Sequence, residues 1–310
     1  MKKEINISIV SPVYKAKEII PKLIDELHNT LHKITLNYEI ILVDDGCPSD
    51  SWASINIECQ KDNRVKGLKL SKNFGQHYAI SAGLDYASGE WVVVMDCDLQ
   101  DHPKEIIKMY EKTKSGYDIV LGRRVERKDD FFKKKFSQFF YLLLSYLSDQ
   151  KIDSTIANFG IYNFRVIEEI TKLNEKNRFF PSMVQWVGFN KTAITIEHYN
   201  REEGKSSYDF KKLVKLGLDV ILSNSEKPIK LIVRFGLVIS LLSFTFILFQ
   251  LYNYLTGRTS VLGYTSIIIA ICFFSGLIIS FLGILGLYLG KIFEGVKNRP
   301  IFIVSKKINF

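Results

Sequence analysis

The chain has 310 residues, of which 47% are apolar, and a formal net charge of +9. That length accommodates one full α/β domain and an appendage. The basic excess clusters beside two long uncharged runs, from Phe235 to Gly257 and from Thr259 to Gly290, which points to a surface of anionic lipid and excludes a nucleic-acid partner.

Strands and helices alternate along the first half. Ile5 to Val10 reads as a strand stopped by Ser11-Pro12, and Ile19 to Ile34 as a helix with Pro21 in its first turn. Tyr38 to Val43 is a second strand, ending in Asp44-Asp45-Gly46. A helix over Ser51–Gln60, a strand over Val65–Leu70 and a helix over Gln76–Ala87 follow, the last closed by Ser88-Gly89. Trp91 to Met95 is a fourth strand, Ile106 to Ser115 a helix, and Asp118 to Leu121 a fifth strand ending in Gly122-Arg123-Arg124. This order predicts βαβ units and a mainly parallel, doubly wound sheet, the α/β class.

The remainder is different. Residues 131–147 place Lys133 to Lys135 beside aromatic and leucine side chains, the pattern of an interfacial helix or of a core helix with a basic start. Residues 210–222 repeat it with Lys211, Lys212 and Lys215. Each uncharged run exceeds the roughly 20 residues that cross a bilayer, so residues 229–256 and 264–290 are expected as a membrane hairpin. Lysines and arginines flank both outer ends, while the connector carries only Arg258, which orients both ends to the cytoplasm. The amino terminus lacks the apolar core of a signal peptide, so 1–225 is expected as a cytosolic domain and 291–310 as a cytosolic tail. The four cysteines show no paired or metal-binding spacing and read as free thiols in a reducing compartment.

Chemistry concentrates where strands stop. The apolar run Trp91-Val-Val-Val-Met95 ends in Asp96-Cys97-Asp98-Leu99-Gln100-Asp101. Carboxylates at i and i+2 hold a hard divalent cation through oxygen, at the edge where open α/β sheets bind ligands; the alternative is a turn whose acids cap the next helix. Cys97 is expected on the opposite face.

Together with Ser11-Pro-Val-Tyr14, Val43-Asp-Asp-Gly46, Leu70-Ser-Lys-Asn-Phe-Gly75, Ala82-Gly-Leu-Asp85, Gly122-Arg123-Arg124, Trp186-Val-Gly-Phe189 and Arg201-Glu-Glu-Gly-Lys-Ser-Ser-Tyr208, this series resembles the inverting family 2 glycosyltransferases of GT-A fold. It resembles in particular their polyisoprenyl-phosphate branch, which includes dolichol-phosphate mannose synthase and bacterial undecaprenyl-phosphate sugar transferases. The resemblance implies a GT-A domain followed by a two-helix transmembrane hairpin in the bacterial plasma membrane. It implies a nucleotide sugar as donor, a UDP-sugar by preference, and a polyprenyl phosphate as acceptor. Pro12, Tyr14, Asp44, Asp45 and Asp96 then match the nucleotide pocket. Asp98 and Gln100, with Asp96, match ligands of Mg²⁺ or Mn²⁺. Arg123, Arg124, Lys133 and Ser137 match the receivers of the lipid phosphate, and Arg201 and Ser207 a loop over the diphosphate. Asp96, Asp98 and Arg201 are the implied catalytic groups. A homo-oligomer, such as a tetramer, and a partner flippase are further implications.

One departure matters. Several of the bacterial enzymes it resembles carry an acid, proposed as general base, where this chain has Asn158, and an amide cannot take that role. Asp153 upstream is the substitute. A phosphate monoester is mostly dianionic at neutral pH, its second pKa being about 6, and needs no base, whereas a hydroxyl acceptor would want one. Transfer to a hydroxyl of a glycan or lipid-linked oligosaccharide is therefore the second reading, and a non-catalytic nucleotide-sugar-binding scaffold the third.

Overall fold

The computed structural model describes residues 5–124, 155–173, 175–176, 178–197, 225, 227–256 and 263–310. Two compact units emerge. One takes the described residues from Ile5 to Glu197 together with Arg299–Phe310, and the other those from Ser225 to Asn298.

The first unit is built on an eight-stranded sheet. Its strands are β1 (Ile7–Val13), β2 (Tyr38–Asp44), β3 (Val65–Leu70), β4 (Trp91–Val94), β5 (Ile119–Arg124), β6 (Ile156–Asn163), β7 (Lys191–Ile196) and β8 (Val304–Ile308). Their spatial order is β7-β5-β6-β4-β1-β2-β3-β8. Pairs β1–β2, β1–β4, β2–β3 and β5–β7 run parallel, while β6 lies antiparallel between β4 and β5, and β8 antiparallel on β3. The mainly parallel α/β expectation holds, with two antiparallel strands that alternation of elements does not announce.

Helices α1 (Ile20–Leu31), α2 (Ser51–Lys61), α3 (Gln76–Tyr86), α4 (Glu105–Thr113), α5 (Phe164–Lys172) and α6 (Phe180–Trp186) complete the unit. Strand alternation feeds two cores. Ile7 and Ile9 of β1 with Ile40 and Leu42 of β2 face Leu23 and Leu27 of α1. Val10, Ile41 and Val43 face Ala79, Ile80 and Ala82 of α3 on the other side. Helix α3 lies close to the sheet because it carries Gly83: a Cβ there would stand 2.4 Å from Val10 Cγ1, nearer than packed carbon atoms approach. Pro12 is tolerated in a central strand because pairing with β4 stops at Val10, so its missing N–H faces the side that β4 has left.

Strand β5 runs through Gly122-Arg123-Arg124 instead of ending before them, since Arg123 pairs with Ile156 of β6 and with Thr195 of β7. The stretch expected as a tail, 291–310, contributes a strand to this sheet. Its last residues form β8, which covers the edge of β3 and is fastened by Asn309 Nδ2 donating to Cys59 O at 2.7 Å and Val65 O at 2.8 Å. The physical reason is an uncapped edge: β3 presents unpaired backbone groups until another strand pairs with them.

The second unit contains α7 (Lys227–Leu255) and α8 (Tyr264–Val296). Both are long and apolar enough to cross a membrane. They bury little: Leu241, Phe246, Leu282 and Leu289 all stand exposed, a distribution that water penalises and lipid does not. The helical stretches expected over 131–147 and 210–222 lie outside the described residues.

Candidate active site

The site lies at the carboxyl edge of β1, β2 and β4. Beyond Val94 the chain runs on to Asp96 and then turns through Cys97 to Gln100, with burial alternating residue by residue. Met95, Cys97 and Leu99 are buried, whereas Asp96, Asp98 and Gln100 are half-buried on the other side. Cys97 enters the core with Ile106 and Met109, as expected, and burial pushes its thiol up to about 12. Leu99 adopts a left-handed conformation, φ +56°, and Gln100 N donates to Asp98 Oδ1 at 3.2 Å. This turn keeps Asp98 and Gln100 on one short arc.

Asp96 is held by amides. Gln76 Nε2, on the first residue of α3, donates to its Oδ1 at 2.6 Å, and Asn158 Nδ2 of β6 approaches the same oxygen at 3.5 Å. The register explains Asn158: Val94 pairs with Gly160, and two further residues along the antiparallel strands bring Asp96 opposite Asn158. Burial foremost, then the carboxylates of Asp98 and Asp101, push Asp96 up to about 7, against the pull of Arg124 and the Asn158 amide. A carboxylate so placed gains from a cation beside it. Among the described residues no three His, Cys, Asp or Glu side chains converge as metal ligands. Asp96, Asp98 and the amide oxygen of Gln100 could hold a cation, a hard all-oxygen set that would suit Mg²⁺ or Mn²⁺.

The acids that end β2 face different tasks. Asp44 Oδ1 accepts from Cys47 N at 2.9 Å, while its Oδ2 is buried with no hydrogen-bond partner among the described residues. Burial raises the Asp44 pKa against the Cys47 N–H. Asp45 accepts Phe74 N at 2.8 Å and Gly75 N at 2.9 Å, one on each oxygen. Burial lifts it to about 6 despite those two bonds. Asp45 thus ties the end of β2 to the loop that leads into α3. Gly46, at φ +60°, lets that loop close in: a Cβ there would lie 2.3 Å from Lys72 C. Tyr14 stands partly exposed at the rim, and its backbone N–H reaches the Cys97 thiol.

Arg124 is not an idle cation. Its Nη2 and Nε donate to the two oxygens of buried Asp101, at 2.7 and 3.2 Å. The structure therefore gathers Pro12, Tyr14, Asp44, Asp45, Asp96, Asp98 and Gln100 at one edge of the sheet, with Arg123 and Arg124 two strands away on β5. Lys133, Ser137, Asp153, Arg201 and Ser207 lie outside the described residues. Sequence reasoning missed Gln76, whose only signal is its place just after Asn-Phe-Gly at a helix start, and the Asp101–Arg124 pair, which spans two elements. His77, next to Gln76, packs edge-on against Phe179, and burial pushes it down to about 4, so it stands neutral at physiological pH.

Known proteins are similar to this chain in sequence and fold. The model of the family described as "Glycosyl transferase family 2" matches residues 8–171. An uncharacterized glycosyltransferase, YkcC of Bacillus subtilis, is 38% identical over 99% of this chain and 95% of its own length. The SfII prophage-derived bactoprenol glucosyl transferase of Shigella flexneri is 33% identical over 97% of each chain. The undecaprenyl-phosphate 4-deoxy-4-formamido-L-arabinose transferase of Yersinia pestis is 32% identical over 97% of this chain and 93% of its own. Among solved structures, glucosyl-3-phosphoglycerate synthase from Mycobacterium tuberculosis, crystallised with Mg²⁺ and uridine diphosphate, superposes with a TM-score of 0.50 at 14% identity, over 70% of this chain and 77% of that one, a likeness of fold. With a family model matched over residues 8–171 and relatives aligned from end to end, the chain belongs to glycosyl transferase family 2 and is a glycosyltransferase.

Proposed function

We propose that this chain moves a sugar, with inversion, from a nucleoside diphosphate sugar, UDP-linked by preference, to undecaprenyl or another polyprenyl phosphate at the cytosolic face of the plasma membrane, for cell-surface glycan synthesis or modification. The observation that carries the reading is the strand order β5-β6-β4. It sets the Asp96–Gln100 arc at the end of β4, Asn158 on β6 beside it, and the backbone of Arg123 and Arg124 one strand further on β5, from which the Arg124 guanidinium reaches back to Asp101 next to the arc. An in-line displacement between two phosphates uses such neighbours: acidic ligands for a cation at the leaving diphosphate, and fixed positive charge close by for an attacking phosphate. Names of relatives acting on bactoprenol and undecaprenyl phosphate support the acceptor.

Asp44, whose buried Oδ2 has no partner among the described residues, accepts a donor from the base or ribose. Asp45 holds the pocket's wall, and Pro12 and Tyr14 complete it. Asp98 and Gln100, with Asp96, hold Mg²⁺ or Mn²⁺, which when bound neutralises charge on the departing diphosphate. Arg201 and Ser207 close over that diphosphate, and Arg123, Arg124, Lys133 and Ser137 receive the acceptor phosphate. A lipid phosphate oxygen donates its electron pair to the anomeric carbon, and the bond from that carbon to the diphosphate oxygen breaks with its pair. No proton moves, because the acceptor is already a dianion above its second pKa of about 6. An amide at position 158 is compatible with this acceptor and would leave a hydroxyl nucleophile without a base. Residues 229–256 and 264–290 span the membrane with both termini cytoplasmic, which keeps the enzyme beside a lipid that leaves the bilayer only at about 0.8 kcal/mol per CH₂.

The test is transfer of radiolabel from a panel of UDP- and GDP-sugars to undecaprenyl phosphate by the full-length protein with Mg²⁺ or Mn²⁺. Label in the organic phase from at least one donor is expected, and Asp98→Ala should reduce it at least about a hundredfold. Labelling of a hydroxyl acceptor with none in undecaprenyl phosphate would overturn the reading.

A further inference from the structure

Asn158 has one half of its amide engaged. Its Nδ2 faces the Asp96 carboxylate. Its Oδ1 is buried and has no hydrogen-bond partner among the described residues. Turning the amide over would not help, since it would set two acceptor oxygens against each other. A buried acceptor left unmatched is costly and uncommon in native folds. It is tolerable where a ligand brings the missing donor.

The neighbours narrow what that ligand is. Ala157 and Phe159 on either side point into the core, so Asn158 projects from the opposite face of β6. Its oxygen points away from the carboxylate that its nitrogen faces. The strand lies between β4, which leads to Asp96, and β5, which carries Arg124, and Arg124 N donates to Thr155 O at 2.9 Å near the start of β6. A diphosphate or a dianionic acceptor phosphate offers only acceptors and cannot pair with Oδ1. A sugar offers O–H donors.

We propose that Asn158 is a specificity-determining residue: its Oδ1 accepts a hydrogen bond from a hydroxyl of the transferred sugar, while its Nδ2 steadies Asp96. The inference rests on the reading of the chain as a nucleotide-sugar transferase. It adds that the position serves recognition of the donor sugar and not proton transfer.

The test is calorimetric binding to the full-length protein in detergent with Mg²⁺, using UDP, GDP, UDP-glucose, UDP-galactose, UDP-N-acetylglucosamine and GDP-mannose. For whichever sugar nucleotide binds the wild type best, Asn158→Leu should weaken binding about tenfold or more while affinity for the matching nucleoside diphosphate stays within about twofold. Gln76→Leu, which removes the other amide from Asp96 and leaves Asn158 Oδ1 untouched, should keep the wild-type ratio of the two affinities. Deoxy analogues of the same sugar nucleotide give a readout that needs no variant. One of them should bind the wild type about tenfold more weakly than the parent, and Asn158→Leu should bind that analogue and the parent alike. Equal losses for sugar nucleotide and diphosphate in a folded Asn158→Leu would overturn the proposal and mark the oxygen as a contact of the cation that holds the diphosphate. So would a wild type indifferent to every deoxy analogue. A wild type that binds none of these nucleotides would instead sink the reading of the donor site, and this inference with it.

Discussion

Buried Asp101 and half-buried Arg124 illustrate how a charge becomes a structural part. The guanidinium meets both carboxylate oxygens, a two-point geometry that fixes direction as well as distance. Removing the Asp101 carboxylate leaves the guanidinium partly desolvated without its counter-charge, which costs more than the pair contributes. Asp101→Ala should therefore destabilise the protein by about 2 kcal/mol, seen as a fall of about 4–8 °C in thermal midpoint. An unchanged midpoint would mean that Arg124 finds solvent or another acid at no cost. The same pairing makes Arg124 an oriented cation.

Strands β1, β2 and β3 are joined by a buried charge network near their amino-terminal ends. Glu39 of β2 is almost fully buried, yet Lys66 Nζ of β3 meets its Oε2 at 2.7 Å and Ser88 N and Oγ donate to its Oε1 at 2.7 and 2.8 Å. Burial alone would raise its pKa. The bonds from Lys66, Ser8 and Ser88 outweigh burial and lower it. A carboxylate whose folded pKa lies below its unfolded one adds stability above the unfolded value, about 4.3, and loses it as the pH falls through the folded value. Glu39→Gln should consequently melt well below the wild type near pH 7, by several degrees, with the gap narrowing as the pH falls toward about 3. Thermal midpoints of both proteins across that range check the sign; a gap that widens in acid would refute it.

For the molecule as a whole, the order of segments has a consequence. The chain enters the sheet seven times, runs through two apolar helices, and then returns to add β8 on the edge of β3. A protein cut before Lys227 would keep every residue of the Asp96–Gln100 arc and lose its edge strand. It would expose the β3 backbone, together with the Cys59 and Val65 carbonyls that Asn309 satisfies, and bare edges invite association. Such a truncation should elute as aggregates in size-exclusion chromatography. A version with residues 227–298 replaced by a flexible linker, so that β8 is retained, should be monodisperse and melt several degrees higher. Equal behaviour of the two would show that β8 contributes nothing to the first unit.

Periodic and terminal signals were legible in the linear chain. The apolar runs of β1 to β4, the helical spacing of α1 and α3, and two uncharged stretches each state their own structure, because local geometry and solvent preference depend on near neighbours. The acids at the ends of β2 and β4 were legible for the same reason: an apolar run that stops in carboxylates is anomalous by itself. Strands β6 and β8 were not, since each becomes a strand by covering an edge made elsewhere, and Ile156–Asn163 carries no mark of the β4 and β5 it will join. Nor did the residue types tell Asp44, with an open oxygen, from Asp45, bound on both. What separates those neighbours is which backbone amides arrive beside them, and pairing across long stretches of chain is set only when the sheet closes.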